Sequence, residues 1–211
     1  MPKSKANFYY DGFNFYHGIC DISRRDLLWL DLVKFSRSML LKTEKLNRIR
    51  YFTTLPLIQM GGIGKIIRHE QWLKVFDTFS FPIKVHKGKF KRITHTCKAK
   101  CKMKFEGFSE KRTDVNISVQ LIGDAIKDNY DVAYIVSGDT DFLPAIEFVK
   151  SEFPNKQIKV LCPPGRISKT LRDRADFTIY LKPGHLEKHV LPDEILREGR
   201  SPLKKPSSWK K

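Results

Sequence analysis

The chain has 211 residues, enough for one substantial hydrophobic core with an elaborated tail. Its 40 Lys and Arg outnumber 23 Asp and Glu, a formal net charge of +17 that attracts polyanions and makes nucleic acid the leading partner class. No run approaches the ~18 apolar residues that span a bilayer, the start Met1-Pro2-Lys3-Ser4-Lys5 lacks the apolar segment of a signal peptide, and four cysteines make no dense disulfide framework. A cytoplasmic protein with no membrane partner is the expectation.

In chain order, Phe8-Tyr9-Tyr10 reads as a strand ending at Asp11. Leu30 to Leu41 has helical spacing at Leu32, Val33, Phe35, Met39 and Leu40, and Ile49 to Thr53 reads as a second strand. Gly61-Gly62 marks a loop before a helix from Ile63 to Phe76, with Ile66, Ile67, Trp72, Leu73 and Phe76 as its apolar face. Ile83-Lys84-Val85 is a short strand. From Lys87 the chain turns basic, and about 87–110 reads as an inserted, mobile hairpin.

Asp114 opens an amphipathic helix with Val115, Val119, Ile122 and Ile126 predicted as its buried face. A buried strand over Val132 to Val136, a helix over Phe142 to Val149 and a strand over Ile158 to Leu161 complete an alternation that predicts an α/β protein with a mostly parallel sheet. A short helix near Lys169 and a strand over Phe177 to Tyr180 follow. The domain so defined spans 1–182; 183–211 is a basic C-terminal tail, and 202–211, rich in Pro and Lys, is expected to be flexible.

Carboxylates punctuate this pattern. Asp139 and Asp141 stand two positions apart just after the strand ending at Val136, Asp11 follows another strand, and Asp114 starts a helix. In a parallel sheet all carboxyl ends share one edge, so distant acids can converge there, where open α/β folds bind ligands. At ~5 Å and an effective dielectric of ~20, two carboxylates repel by about 3 kcal/mol, which a hard divalent cation relieves. Asn14, three residues beyond Asp11, is placed to orient a carboxylate or bound water.

Three ordered motifs, Asp11-Gly12-Phe13-Asn14, Lys111-Arg112-Thr113-Asp114-Val115-Asn116 and Val136-Ser137-Gly138-Asp139-Thr140-Asp141-Phe142, together resemble the NYN domain. This is a PIN-like group of metal-dependent ribonucleases with an α/β/α sandwich fold. The resemblance extends through Pro163 to Arg166 and Leu191 to Ile195. It implies that Asp11, Asp114, Asp139 and Asp141 hold Mg²⁺ or Mn²⁺, with Asn14 beside them and Ser137 and Thr140 as accessory groups. A metal-activated water would then hydrolyse RNA, single-stranded or structured, at internal phosphodiester bonds. PIN-like domains often self-associate, so a homodimer is also allowed.

Basic residues near these acids suit a phosphate backbone. Lys111 and Arg112 precede Asp114, Arg166 and Lys169 follow the strand ending near Leu161, and the insert supplies Lys87, Lys89, Lys91 and Arg92, then Lys98 and Lys100, with Phe90 and Phe105 interleaved as in single-strand binders. His95, Cys97 and Cys101 have C-x3-C spacing and no second cysteine pair, which argues against a zinc clip; Cys20 and Cys162 read as buried thiols. Other patterns fit less well. Gly61 to Lys65 lacks the glycine and the Ser or Thr of a Walker loop. Asp139-Thr140-Asp141 has Leu143 where an aspartyl-phosphate phosphatase wants Thr or Val, and it sits far from the first strand. A non-catalytic nucleic-acid-binding module is the alternative of a different class.

Overall fold

The computed structural model describes residues 2–60, 62–97 and 101–210, with Phe105 by its backbone alone. Gly61, Lys98, Lys100 and the Phe105 side chain, named above, lie outside the described residues. The first strand, β1 (Ser4–Asp11), runs straight into α1 (Gly12–Asp21). After a 3-10 turn at Arg25–Leu28 come α2 (Leu32–Met39), β2 (Glu44–Thr53), α3 (Ile63–Val75) and β3 (Ile83–Lys87). The basic insert is an antiparallel hairpin of β4 (Lys89–Thr96) and β5 (Lys104–Lys111). Then follow α4 (Thr113–Ile126), β6 (Val132–Val136), α5 (Leu143–Glu152), β7 (Gln157–Cys162), α6 (Lys169–Arg174) and β8 (Phe177–Tyr180). The chain closes with α7 (Pro183–Glu187), an antiparallel pair β9 (Glu194–Arg197) and β10 (Arg200–Lys204), and a 3-10 turn over Ser207–Trp209.

Six strands form one sheet in the order β3-β2-β1-β6-β7-β8, and every neighbouring pair is parallel. Strand residues alternate between its two faces. Phe8 and Tyr10 enter a core with Phe15 of α1, Phe35 of α2 and Trp72 of α3. Tyr9 enters a second core with Ile117 and Leu121 of α4, Ile146 of α5 and Leu171 of α6. The fold is therefore an α/β/α sandwich, with both faces of its parallel sheet covered.

One predicted helix face differs from the observed one, and a second departs at a single residue. Helix α4 buries Ile117, Leu121 and Ala125 and leaves Val115, Val119 and Ile126 exposed. Apolar residues occupy both sides of this helix, so periodicity alone does not choose between them. The inner face also carries Asp124, which accepts two hydrogen bonds from the Arg50 guanidinium at 2.7 Å each and one from the Tyr9 hydroxyl at 2.8 Å. A buried acid on the inner stripe disguises it as the polar one. In α3, Trp72 and Phe76 are buried as expected, and of the predicted face only Ile67 is exposed.

The closing segment also departs from expectation. Residues 202–210 are not a flexible end, because Leu203 is buried and Trp209 packs edge-on to Trp29 and Trp72 at 6.3 Å from each. Among the described residues no helix is long and apolar enough to cross a membrane.

Candidate metal centre

Strands β1 and β6 lie side by side at the middle of the sheet, and from them the strand order runs outward in opposite directions. Such a reversal opens a crevice beyond the carboxyl ends, where α/β sheets place their ligands. Asp11 is the last residue of β1, and Ser137 to Asp141 leave β6. Helix α4 starts at the same edge because β3 ends there and the β4–β5 hairpin returns the chain to it. The return is tight: the Thr54 and Thr113 hydroxyls are 3.4 Å apart, and any side chain at Gly88 would collide with both.

This topology gathers Asp11, Asp114 and Asp139, whose carboxylate oxygens lie within 4.8 Å of one another. Two oxygens on opposite sides of a Mg²⁺ or Ca²⁺ ion are ~4–5 Å apart, so the spacing fits one hard cation. At 4.8 Å and an effective dielectric of ~20, each bare pair repels by about 3 kcal/mol. Proton affinities reflect that strain. Burial is the main cause that pushes the Asp11 carboxyl up to about 7, with Asp114 and Glu110 adding to it, against hydrogen bonds that favour the ionised form. Burial likewise raises Asp114, followed by the charges of Asp139, Glu110 and Asp141.

Hydrogen bonds fix the carboxylates. Asp11 Oδ1 caps α1 by accepting the Asn14 N–H at 2.9 Å, and Oδ2 accepts the Ser137 hydroxyl at 2.9 Å. Ser137 Oγ in turn accepts the Asp139 N–H at 3.1 Å. Asn14 Oδ1 accepts the Gly138 N–H at 2.9 Å, so this side chain clamps the β6–α5 loop to the start of α1. Gly138 itself is pressed against the Arg166 backbone so closely that a Cβ would overlap it.

Asp141 is exposed at the rim, its N–H donating to Asp139 Oδ1 at 3.1 Å; its carboxylate is not among the three gathered oxygens, yet its charge reaches Asp114. Thr140 is exposed, and its carbonyl accepts the Leu143 N–H that opens α5. Glu110, unnoticed in the sequence, belongs to the same edge: its carboxylate accepts the hydroxyls of Thr54, at 2.7 Å, and Thr113. Its signal was an acid four residues before Asp114 inside an otherwise basic stretch.

The basic residues divide into two sets. Lys87, Lys89, Lys111 and Arg112 are exposed around the hairpin base, where Lys89 and Lys111 face each other directly across the β4–β5 ladder. Like charges so placed repel, and a bound polyanion relieves them. Arg112 holds a left-handed φ of +83°, unusual for a side chain that is not glycine. Lys91 is exposed further along β4, while Arg92 pairs with Glu106 at 3.3 Å. Arg166 forms an ion pair with Asp21 at 2.7 Å, and Lys169 is exposed at the first residue of α6.

A cleft of about 220 Å³ reaches this sheet edge at Gly12, the residue after Asp11, and at Thr53 and Thr54; Trp72 and Trp209 also line it, and none of the three gathered acids does.

By its architecture the protein is a parallel α/β/α sandwich with acids converging at its switch point. The chain belongs to the NYN domain family, whose model matches residues 6–182. NYN domains are PIN-like and generally nucleases. A similar curated protein is the 6-hydroxy-3-succinoylpyridine 3-monooxygenase HspA of Pseudomonas putida, 28% identical over 97% of this chain and 75% of that protein. Among solved structures, a protein of unknown function, VPA0982 from Vibrio parahaemolyticus, has the same fold, with a TM-score of 0.55 at 18% identity over 86% of this chain and 94% of that one.

Proposed function

We propose that the chain is a divalent-metal-dependent ribonuclease that hydrolyses phosphodiester bonds within RNA. The observation that carries this is the meeting of Asp11, Asp114 and Asp139 at one point of a protein whose net charge is +17. A surface meant only to bind RNA gains nothing from three acids facing phosphates. The donor set is all carboxylate oxygen, which suits Mg²⁺ or Mn²⁺, and Asp11, Asp114 and Asp139 would hold the ion. A cation bound there polarises the phosphoryl oxygen and acidifies an attacking water.

The chain supplies the rest. Ser137 and Asn14 hold the carboxylates and their loop in register, so the site is formed before substrate arrives. Asp141, at the rim beside Asp139, takes up the proton of the attacking water. Lys87, Lys89, Lys111 and Arg112 grip phosphates on one side of the scissile bond, and Lys169 does so on the other, with Arg166 held by Asp21 until an anion competes for it.

A labelled RNA pool incubated with purified protein tests this. Cleavage is expected with Mg²⁺ or Mn²⁺, stops with chelator, and falls by at least ~100-fold in Asp139→Asn, a cation's contribution being several kcal/mol. Retained binding without cleavage under any metal identifies the non-catalytic binding module instead. Equal degradation by wild type and Asp139→Asn means the activity is a contaminant.

A second reading is favoured by the pyridine compound in the name of the Pseudomonas relative together with the cleft beside the acids. On that reading the cleft holds a small heteroaromatic acid. Turnover of such compounds, with RNA untouched, would establish it.

A further inference from the structure

We infer that the cleft beside the carboxylates is a base subsite, taking one unstacked nucleobase of the RNA strand whose phosphate lies at Asp11, Asp114 and Asp139. The inference rests on the ribonuclease reading. Position is the first ground. Gly12, which directly follows Asp11, borders the cleft, as does Thr54, which donates to Glu110. A base lodged there belongs to a nucleotide next to the cut.

Shape and lining are the second ground. At about 220 Å³ the cleft is smaller than the ~300 Å³ and upward of sites for drug-sized ligands, so it has room for a single ring system. Its walls offer rings to stack on: Tyr51 and Trp72 from the core, Phe90 from the basic hairpin, and Phe13 from the first turn of α1. Phe13 is 41% exposed, whereas Phe15 of the same turn is buried in the core. Base–aromatic stacking is the recurring device of single-strand recognition.

Polarity is the third ground. Thr53 Oγ1 and His69 Nε2, 3.1 Å apart, are polar groups set among these rings. Burial, with the charge of Lys87, lowers the His69 imidazole to about 4, so at neutral pH it is uncharged; with Nε2 engaged by Thr53, its Nδ1 is the ring nitrogen left for a base edge. Lys65 and Arg68 of α3 also border the cleft and are cations for the flanking phosphates. Lys65 spends one N–H on the Met60 carbonyl at 2.9 Å and keeps two. A base inside a duplex cannot enter such a cleft, so the substrate strand must be single or locally opened.

Short single-stranded RNAs in which one abasic site is moved along the strand test the subsite, with affinity measured on Asp139→Asn and cleavage on wild type in Mn²⁺. One abasic position, at a fixed offset from the cut, should weaken binding about tenfold, the scale of one base stacked on aromatic rings. Phe13→Ala and the cleft-filling Met60→Trp should each erase that positional difference while melting within a few degrees of wild type. Cleavage by wild type with no positional effect overturns the subsite and leaves the ribonuclease reading standing. Absence of cleavage from every RNA overturns the ribonuclease reading itself. Competition by a free pyridine carboxylate, with abasic RNAs all binding alike, overturns the subsite in favour of a small-molecule cleft.

Discussion

Asp11 serves two incompatible ends. As the metal ligand proposed above it would have to be ionised, yet it is buried, and its carboxyl is pushed up to about 7 from an ordinary 3.8. Below about pH 4 it is protonated whether the chain is folded or not. Between about 4 and 7 the folded chain keeps a proton that the unfolded chain has released, so stability is lost as pH rises through this window. Above it the metal-free protein carries the full cost, about 4 kcal/mol. Asp11→Asn should therefore raise the melting temperature of metal-free protein at pH 8, show little gain at pH 4, and abolish cleavage. Comparing variant with wild type isolates Asp11 from His69 and His86, each lowered to about 4 by burial, which lose stability in the opposite direction as pH falls. Equal melting temperatures at pH 8 would show that Asp11 is not destabilising in the folded chain. The triad residues were legible because Asp11 ends a strand, Asp114 lies at the start of a helix and Asp139 sits in the loop just past a buried strand. Glu110 was not, since its neighbours Thr54 and Thr113 come together only when the hairpin closes.

At the scale of elements, strand alternation was legible throughout the sheet, because buried parallel strands read as continuous apolar runs at β6 and β7. Helix α1 was obscure, since Gly12 and Gly18 weaken its helical signal; the structure needs both, Gly12 against Tyr51 and the Phe52 carbonyl, Gly18 against Pro163 and Pro164. The inner face of α4 was obscured by Asp124. The hairpin of β4 and β5 was read as an insert, and its base turns out to be part of the path that aims Asp114. With Lys89 opposite Lys111, this base should act as a phosphate clamp. Lys89→Ala with Lys111→Ala should weaken RNA binding across all sequences and reduce the slope of log affinity against log salt by roughly 1–2, one step for each lost phosphate contact. Salt titration of Asp139→Asn with and without these changes measures it. An unaltered slope would place the backbone path elsewhere.

For the molecule as a whole, length and composition led to the expectation of one sizeable core, where the structure has one on each face of the sheet, and they gave no sign of how the closing residues are used. Trp209 joins Trp29 and Trp72, and the Trp29 indole donates to the Pro192 carbonyl at 2.8 Å, so two distant stretches of chain seal the same core. Pro and Lys around Trp209 made this stretch look like a loose end. Trp209→Ala should cost about 3–5 kcal/mol, as for other buried tryptophans, and lower the denaturant midpoint. A loss under ~0.5 kcal/mol would mean that the closing turn is only loosely held.

The crevice between β1 and β6 joins residues far apart along the chain: the Ser137–Asp11 hydrogen bond spans 126 positions. A polypeptide still being made on the ribosome thus carries Asp11 early, but the acid trio does not exist until residues through Asp139 have emerged and the two strands have paired. Any state of the chain in which β1 and β6 are unpaired therefore lacks the trio, however much of its local structure has formed.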